Sequence, residues 1–233
     1  MNMHQSEQVN GNHHTMPIDQ LGRSGETVVG IDVGGERKGF HAVALLNGHF
    51  VDKKATPDPA VIANWCIRHK AKVVAVDAPC RWSLKDSSRL AERELNVAGG
   101  KIHCFATPTY KIARANKKGF YDWIFNGEKL YEYLESHRYF RFNGERIKGQ
   151  ICIETFPHAV VCVMAGKVAL AKPKARVRRE ALRSRGYDDS NLPNIDFVDA
   201  ALCAVAANEF RKDKYQLYGD RNEGFIVVPD LGV

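Results

Sequence analysis

Five acidic residues stand where acids are unexpected. Asp32 ends the apolar run Val28-Val29-Gly30-Ile31, Asp77 ends Val73-Val74-Ala75-Val76, and Glu154 ends Ile151-Cys152-Ile153. Each run reads as a buried strand, and a carboxylate at the end of such a strand is costly unless something pairs with it. Asp196 and Asp199 lie three residues apart in an alanine-rich stretch of helical spacing, so they share a face. Asp196 also reads as an ordinary first-turn acid favoured by the helix dipole, whereas Asp199 sits between Val198 and Ala200 on an otherwise apolar helix.

Clustered carboxylates repel and raise one another's pKa unless a cation neutralises them. Hard divalent ions take oxygen ligands, and no His/Cys cluster has zinc spacing, so Mg²⁺ or Mn²⁺ is the expected cofactor. A pair of such ions can activate water and stabilise a leaving oxygen in phosphodiester cleavage.

The elements that must carry these acids follow from the pattern. Val28–Val33, Gly39–Leu46 and His49–Lys53 read as an antiparallel meander whose second turn is Asn47-Gly48, a strong hairpin signal. A helix over Pro59–Lys70 leads to a crossover strand over Lys72–Asp77. Residues 81–148 are polar, basic and aromatic, with helices near Ser87–Val97 and Asp122–Tyr139, and read as a largely helical insertion over the sheet edge. Then come a strand at Gln150–Thr155, helices near His158–Ala165, Pro173–Arg185 and Asn194–Lys212, and a strand at Gly224–Val228. The expected fold is α/β, a mixed sheet with helices on both faces, formed by one domain over 27–233 behind a disordered tail over 1–26. His13-His14 in that tail is too short a run to mark a metal site.

Composition sets the outer limits. The chain has 233 residues and a net charge of +7, which permits a polyanionic partner such as nucleic acid. From Lys167 to Arg185 eight basic residues face one acid, Glu180, giving either a phosphate-neutralising helix or a solvated one. No apolar stretch is long enough to span a bilayer, and residues 1–26 lack a signal-peptide core. Six cysteines without a C-x-x-C pair read as free thiols, with Cys152, Cys162 and Cys203 buried, in a reducing cytoplasm.

Taken in order, Gly30-Ile31-Asp32-Val33-Gly34, Val76-Asp77-Ala78-Pro79, Glu154-Thr155-Phe156-Pro157 and Asp196-x-x-Asp199-Ala200-Ala201 resemble the ribonuclease H-like superfamily. Within it the chain is most similar to a domain-of-unknown-function family described as predicted RNase H-like nucleases. The resemblance runs from about Val28 to Pro229 and takes in Arg89-x-x-Glu92-Arg93 and Ala106-Thr107-Pro108-Thr109. It implies a ribonuclease H-like sheet and a metal-dependent nuclease. Asp32 would bridge the ions, Glu154 and Asp199 would complete the shell much as in Holliday-junction resolvases, Asp77 would be a ligand or nearby base, and Asp196 a further ligand. Ribonuclease H itself carries an acid on its first helix, and Pro59–Lys70 offers none, so the resolvase-like arrangement fits better.

Lys38, Arg81, Arg89 and Arg93 are the candidate phosphate contacts, although a solvated hairpin for Lys38 and salt-bridged structure for Arg89 and Arg93 explain them as well. The aromatics Phe120, Tyr121, Trp123, Phe125, Tyr131 and Tyr133 read either as base-stacking groups or as the insertion's own core. Two other functions share the motifs. A sugar-kinase or actin-type phosphotransferase would use Asp32-Val33-Gly34-Gly35 as a phosphate turn but needs two such cores. A non-catalytic interaction module would show an incomplete acidic set.

Overall fold

The segment Thr27–Val33 combines β-branched residues with a period that buries both of its faces, and it forms the central strand β1. The computed structural model describes residues 25–85, 88–145 and 147–232; most of the expected tail, with His13 and His14, lies outside them. Strands β2 (Phe40–Leu46) and β3 (His49–Thr56) complete the meander, turning at Asn47-Gly48, where both residues have positive φ. Helix α1 (Pro59–Arg68) starts with Asp58 capping Ala60 N–H at 2.8 Å and proline at its first position. Strand β4 (Val73–Asp77) then runs parallel to β1.

Within the insertion, α2 (Leu90–Glu94) is much shorter than expected because Leu95 leaves the helical region and starts a small hairpin of β5 (Asn96–Val97) and β6 (Gly100–Lys101). Helix α3 (Tyr110–Ala115) is capped by Thr109, and α4 (Asp122–Ser136) stops three residues short of the expected Tyr139, which opens strand β7 (Tyr139–Arg141) instead. Strand β8 (Gln150–Glu154) pairs in parallel with β4 on one side and with β7 on the other. Helices α5 (Pro157–Ala165), α6 (Lys174–Ser184) and α7 (Ile195–Arg211) follow, then the hairpin β9 (Tyr215–Asp220) and β10 (Gly224–Pro229). Strand β9 lacks a clear alternating pattern, Tyr-Gln-Leu-Tyr-Gly-Asp, and went unpredicted.

The main sheet has the order β3-β2-β1-β4-β8-β10-β9, with β7 beside the first part of β8. An antiparallel meander thus adjoins parallel central strands, and helices cover both faces, as the sequence and the ribonuclease H-like resemblance imply. One face packs Val28, Ala75 and Ile153 against α5, α6 and α7. The other packs Ile31, Val74 and Cys152 against α1 and α4, including Leu130, Tyr131 and Leu134. Through α4 the insertion therefore shares one face of the sheet with α1 rather than capping only its edge, and its strand β7 joins the sheet. All six cysteines are free thiols, and no helix among the described residues is long and apolar enough to cross a membrane.

Candidate metal centre

Register brings the first two acids together. Asp32 and Asp77 are direct partners across the parallel pair β1–β4, at the C-terminal ends of both strands, and alternation turns both toward α7. Gly30 lets α7 lie directly on β1. A Cβ at that position would come within 2.0 Å of Ala204 N and 2.1 Å of Ala200 O, so any side chain would push the helix away. Asn194 caps α7, accepting from the backbone N–H groups of Asp196 and Phe197 at 3.1 Å each. The first turns of α7 thereby carry Asp196 and Asp199 over the end of β1.

Three basic side chains enter this group. Lys38 folds back over Gly34, where a Cβ would collide with its methylenes. Its ammonium lies 2.8 Å from Asp32 Oδ2 and 2.8 Å from Asp196 Oδ1. Burial opposes the Lys38 charge, but Asp32 and Asp196 outweigh it and raise its pKa. From α6, Lys174 Nζ lies 2.8 Å from Asp199 Oδ2, and Arg178 pairs with Asp199 Oδ1. Burial, with Arg178 beside it, lowers the Lys174 pKa. Burial also lowers that of Arg178, partly offset by Asp77.

Asp77 has no ion pair of its own among the described residues. Burial first, and the neighbouring Asp32 charge second, push its pKa up to about 8, although Arg178, Lys174 and Lys38 pull the other way. Four carboxylates thus face three cations, and the fourth acid compensates by holding a proton.

His41 completes the group and was missed in the sequence. It is the register partner of Asp32 on β2, and one of its ring nitrogens lies within 4.8 Å of carboxylate oxygens of Asp32 and Asp196. Its Nδ1 is buried without a hydrogen-bond partner. The period-2 pattern of β2 marks His41 as facing α7, but only the register of the Gly34–Gly39 turn shows that it stands beside Asp32.

Glu154 lies elsewhere. Alternation along β8 turns it to the face opposite Asp32, after Cys152. Both of its oxygens are taken. Arg89 donates through Nη1 to Oε2 at 2.8 Å and through Nη2 to Oε1 at 2.5 Å, and Cys80 N–H donates to Oε2 at 2.7 Å. The resemblance implied a ligand here; the carboxylate instead ties the insertion to the sheet. Arg89, implied as a phosphate contact, is 1% exposed and bound by Nε to Glu92 Oε1 at 2.9 Å as well. Both departures have one cause: the Arg89 guanidinium is buried between two carboxylates and committed to them, and they to it. Arg93 is exposed and donates to the Ser88 carbonyl, and exposed Arg81 lines a separate groove with Arg138 and Arg141. The basic helix is mostly committed inward, since Arg179 and Arg183 both pair with Asp189.

A family model described as Protein of unknown function (DUF429) matches residues 30–223. The chain belongs to this family. The match spans Asp32, Asp77, Asp196 and Asp199, so the acidic centre of this DUF429 protein lies wholly within the family region. A structure from Thermus thermophilus, titled as that of RuvC, is similar to this DUF429 chain at 13% identity and a TM-score of 0.46, covering 80% of this chain and 96% of the other. No curated protein matches the DUF429 chain.

The donors present fit a divalent cation. They are oxygen-rich, with one imidazole available, and the cluster already gathers positive charge from three side chains. Among the described residues, Asp32, His41 and Asp196 bring donor atoms within 4.8 Å of one another, the spacing a single cation needs.

Proposed function

We propose that this protein is a metal-dependent nuclease that hydrolyses phosphodiester bonds in nucleic acid, with Mg²⁺ or Mn²⁺ held by Asp32, Asp77, Asp196 and Asp199. The observation that carries this reading is the pairing of Asp32 with Asp77 at the strand ends under the two aspartates of α7. Relative to the sequence-based set, Asp32, Asp196 and Asp199 are kept, Asp77 joins them as a ligand, and Glu154 is left out. Bound there, the cation would supply a polarised water and charge for the leaving oxygen.

The protein's own groups have complementary tasks. Lys38, Lys174 and Arg178 neutralise the acids in the cation-free protein. Once those acids ligate a cation, the same three side chains are free to bind phosphate oxygens, Arg178 through its planar fork. Asp77 gives up the proton on its carboxyl oxygen when positive charge arrives beside it. Before a cation binds, Lys38 bridges β1 and α7 and keeps Asp32 and Asp196 aimed at one point.

The test is a panel of single-stranded, double-stranded and branched DNA and RNA, incubated with Mg²⁺ or Mn²⁺, using the wild type and Asp32→Asn. Cleavage by the wild type alone supports the reading. Equal activity in both proteins, or none on any substrate, removes it.

A further inference from the structure

The insertion presents an aromatic surface that its own core does not use. Tyr131 is fully buried, but Phe105 is 37% exposed, Tyr110 48% and Phe120 58%. Their rings form continuous paths rather than isolated contacts. Phe105 lies 5.3 Å from Phe120 and 5.1 Å from Trp123, centroid to centroid. Phe105 and Trp123 then line a cleft that Asp77 also lines, together with Arg89 and Glu154, so the aromatic path reaches the strand ends that carry the acids. The cleft has only about 50 Å³ of interior room, enough for a few waters and not for a nucleotide. Anything recognised by these rings must therefore lie along the open surface.

The α3 side of this surface is basic, while Asp122 and Glu128 of α4 lie beside it. From Leu95 to Tyr121 the chain has no acidic residue, and Lys111, Arg114, Lys117 and Lys118 are all exposed. The Arg114 guanidinium lies 5.9 Å from the Tyr110 ring centre, so cation and ring form one combined face. Exposed rings interleaved with basic side chains match a strand that offers bare base faces and phosphates together. Duplex bases are already stacked and leave such rings nothing to cover.

We propose that the α3–α4 part of the insertion binds single-stranded nucleic acid, stacking unpaired bases on Phe120, Phe105 and Tyr110 while Lys111, Lys117 and Lys118 contact the phosphates. The strand is thereby led toward Asp77. This proposal deepens the nuclease reading by naming its substrate class, and it rests on that reading only for the direction in which the strand runs.

The experiment is fluorescence anisotropy with labelled single-stranded DNA, single-stranded RNA and the matching duplex, in chelator so that no cleavage occurs. The expected result is single-strand binding about tenfold or more tighter than duplex binding, weakened by salt. Phe120→Ala lowers single-strand affinity about fivefold or more and leaves duplex affinity unchanged, and Phe120→Trp retains the wild-type value. Tyr110→Ala provides a second reading should Phe120→Ala melt early. Duplex binding as tight as single-strand binding, no binding at low salt, or folded ring variants with unchanged affinity would overturn the proposal. Those results leave metal-dependent cleavage untouched. Single-strand binding without cleavage under any metal would instead sink the nuclease reading and leave this surface standing.

Discussion

Asp32 and Asp77 are register partners on adjacent parallel strands, and both turn toward the same helix. Among the described residues only Asp32 of the two has a cationic side chain in contact, that of Lys38. Burial first, and the neighbouring Asp32 charge second, push the Asp77 pKa up to about 8, far above that of an ordinary carboxyl.

A raised acid pKa has a defined effect on stability. Between the unfolded value near 3.8 and the folded value of about 8, the folded chain binds a proton that the unfolded chain has lost. Stability of the cation-free protein should thus fall as pH rises through this window, and level off above it. The size should be on the order of a few kcal/mol. Asp77→Asn should flatten this part of the profile and make the cation-free protein the more stable one near pH 9. Chemical denaturation from pH 5 to 9 in chelator checks it, and an unchanged slope in the variant would count against the assignment.

Glu154 predicts the opposite behaviour. Glu154→Gln leaves Arg89 buried with only Glu92 as a charged partner, so folding should lose about 3–5 kcal/mol. Divalent-ion affinity of the folded variant should remain within about twofold of the wild type, because no Glu154 oxygen faces the centre. Calorimetric titration with Mn²⁺ separates the two effects. A large loss of affinity in a folded Glu154→Gln protein would return Glu154 to the ligand set.

What was legible in the sequence divides along physical lines. The meander, the crossover and α7 were readable because hairpin residues, a proline start and alanine-rich periodicity act locally. The acids were readable as well, since each stands out against an apolar run. Glu154 was misplaced because strand-end position looks alike on both faces; only counting from Ile151 and Cys152, whose faces are set by packing, reveals which way it points. Its partner Arg89 is 65 residues away in sequence, and no local pattern announces that bond. His41 was missed for the same reason, its role being set by register with Asp32. The aromatic insertion was ambiguous because exposure of Phe120 against burial of Tyr131 depends on how α4 lies on α1.

Gly30 offers a test of the packing that builds the centre. Gly30→Ala places a methyl group against the backbone of Ala200 and Ala204 in α7, where no flexible side chain can yield. Overpacking of this kind costs typically about 1–3 kcal/mol, and here it should also lift the helix carrying Asp196 and Asp199. A lower melting temperature together with weakened Mn²⁺ uptake is the expected pair of results. Loss of stability with uptake intact would show that the aspartates hold their positions without close contact between α7 and β1.

His41 should bias the centre among cations. Among the described residues its imidazole is the nitrogen ligand beside Asp32 and Asp196, and its Nδ1 lacks a partner there. Nitrogen ligands favour later transition ions, whereas Mg²⁺ takes oxygen and water. His41→Gln should thus weaken Co²⁺ binding about tenfold while changing Mg²⁺ binding little, a contrast that mere loosening of β2 would not produce. Competition titrations of the two ions, with the visible spectrum of bound Co²⁺ as the readout, measure the contrast directly. Equal loss for both ions would remove His41 from the donor set and leave it as packing for Phe197, whose ring lies edge-on to it at 4.9 Å.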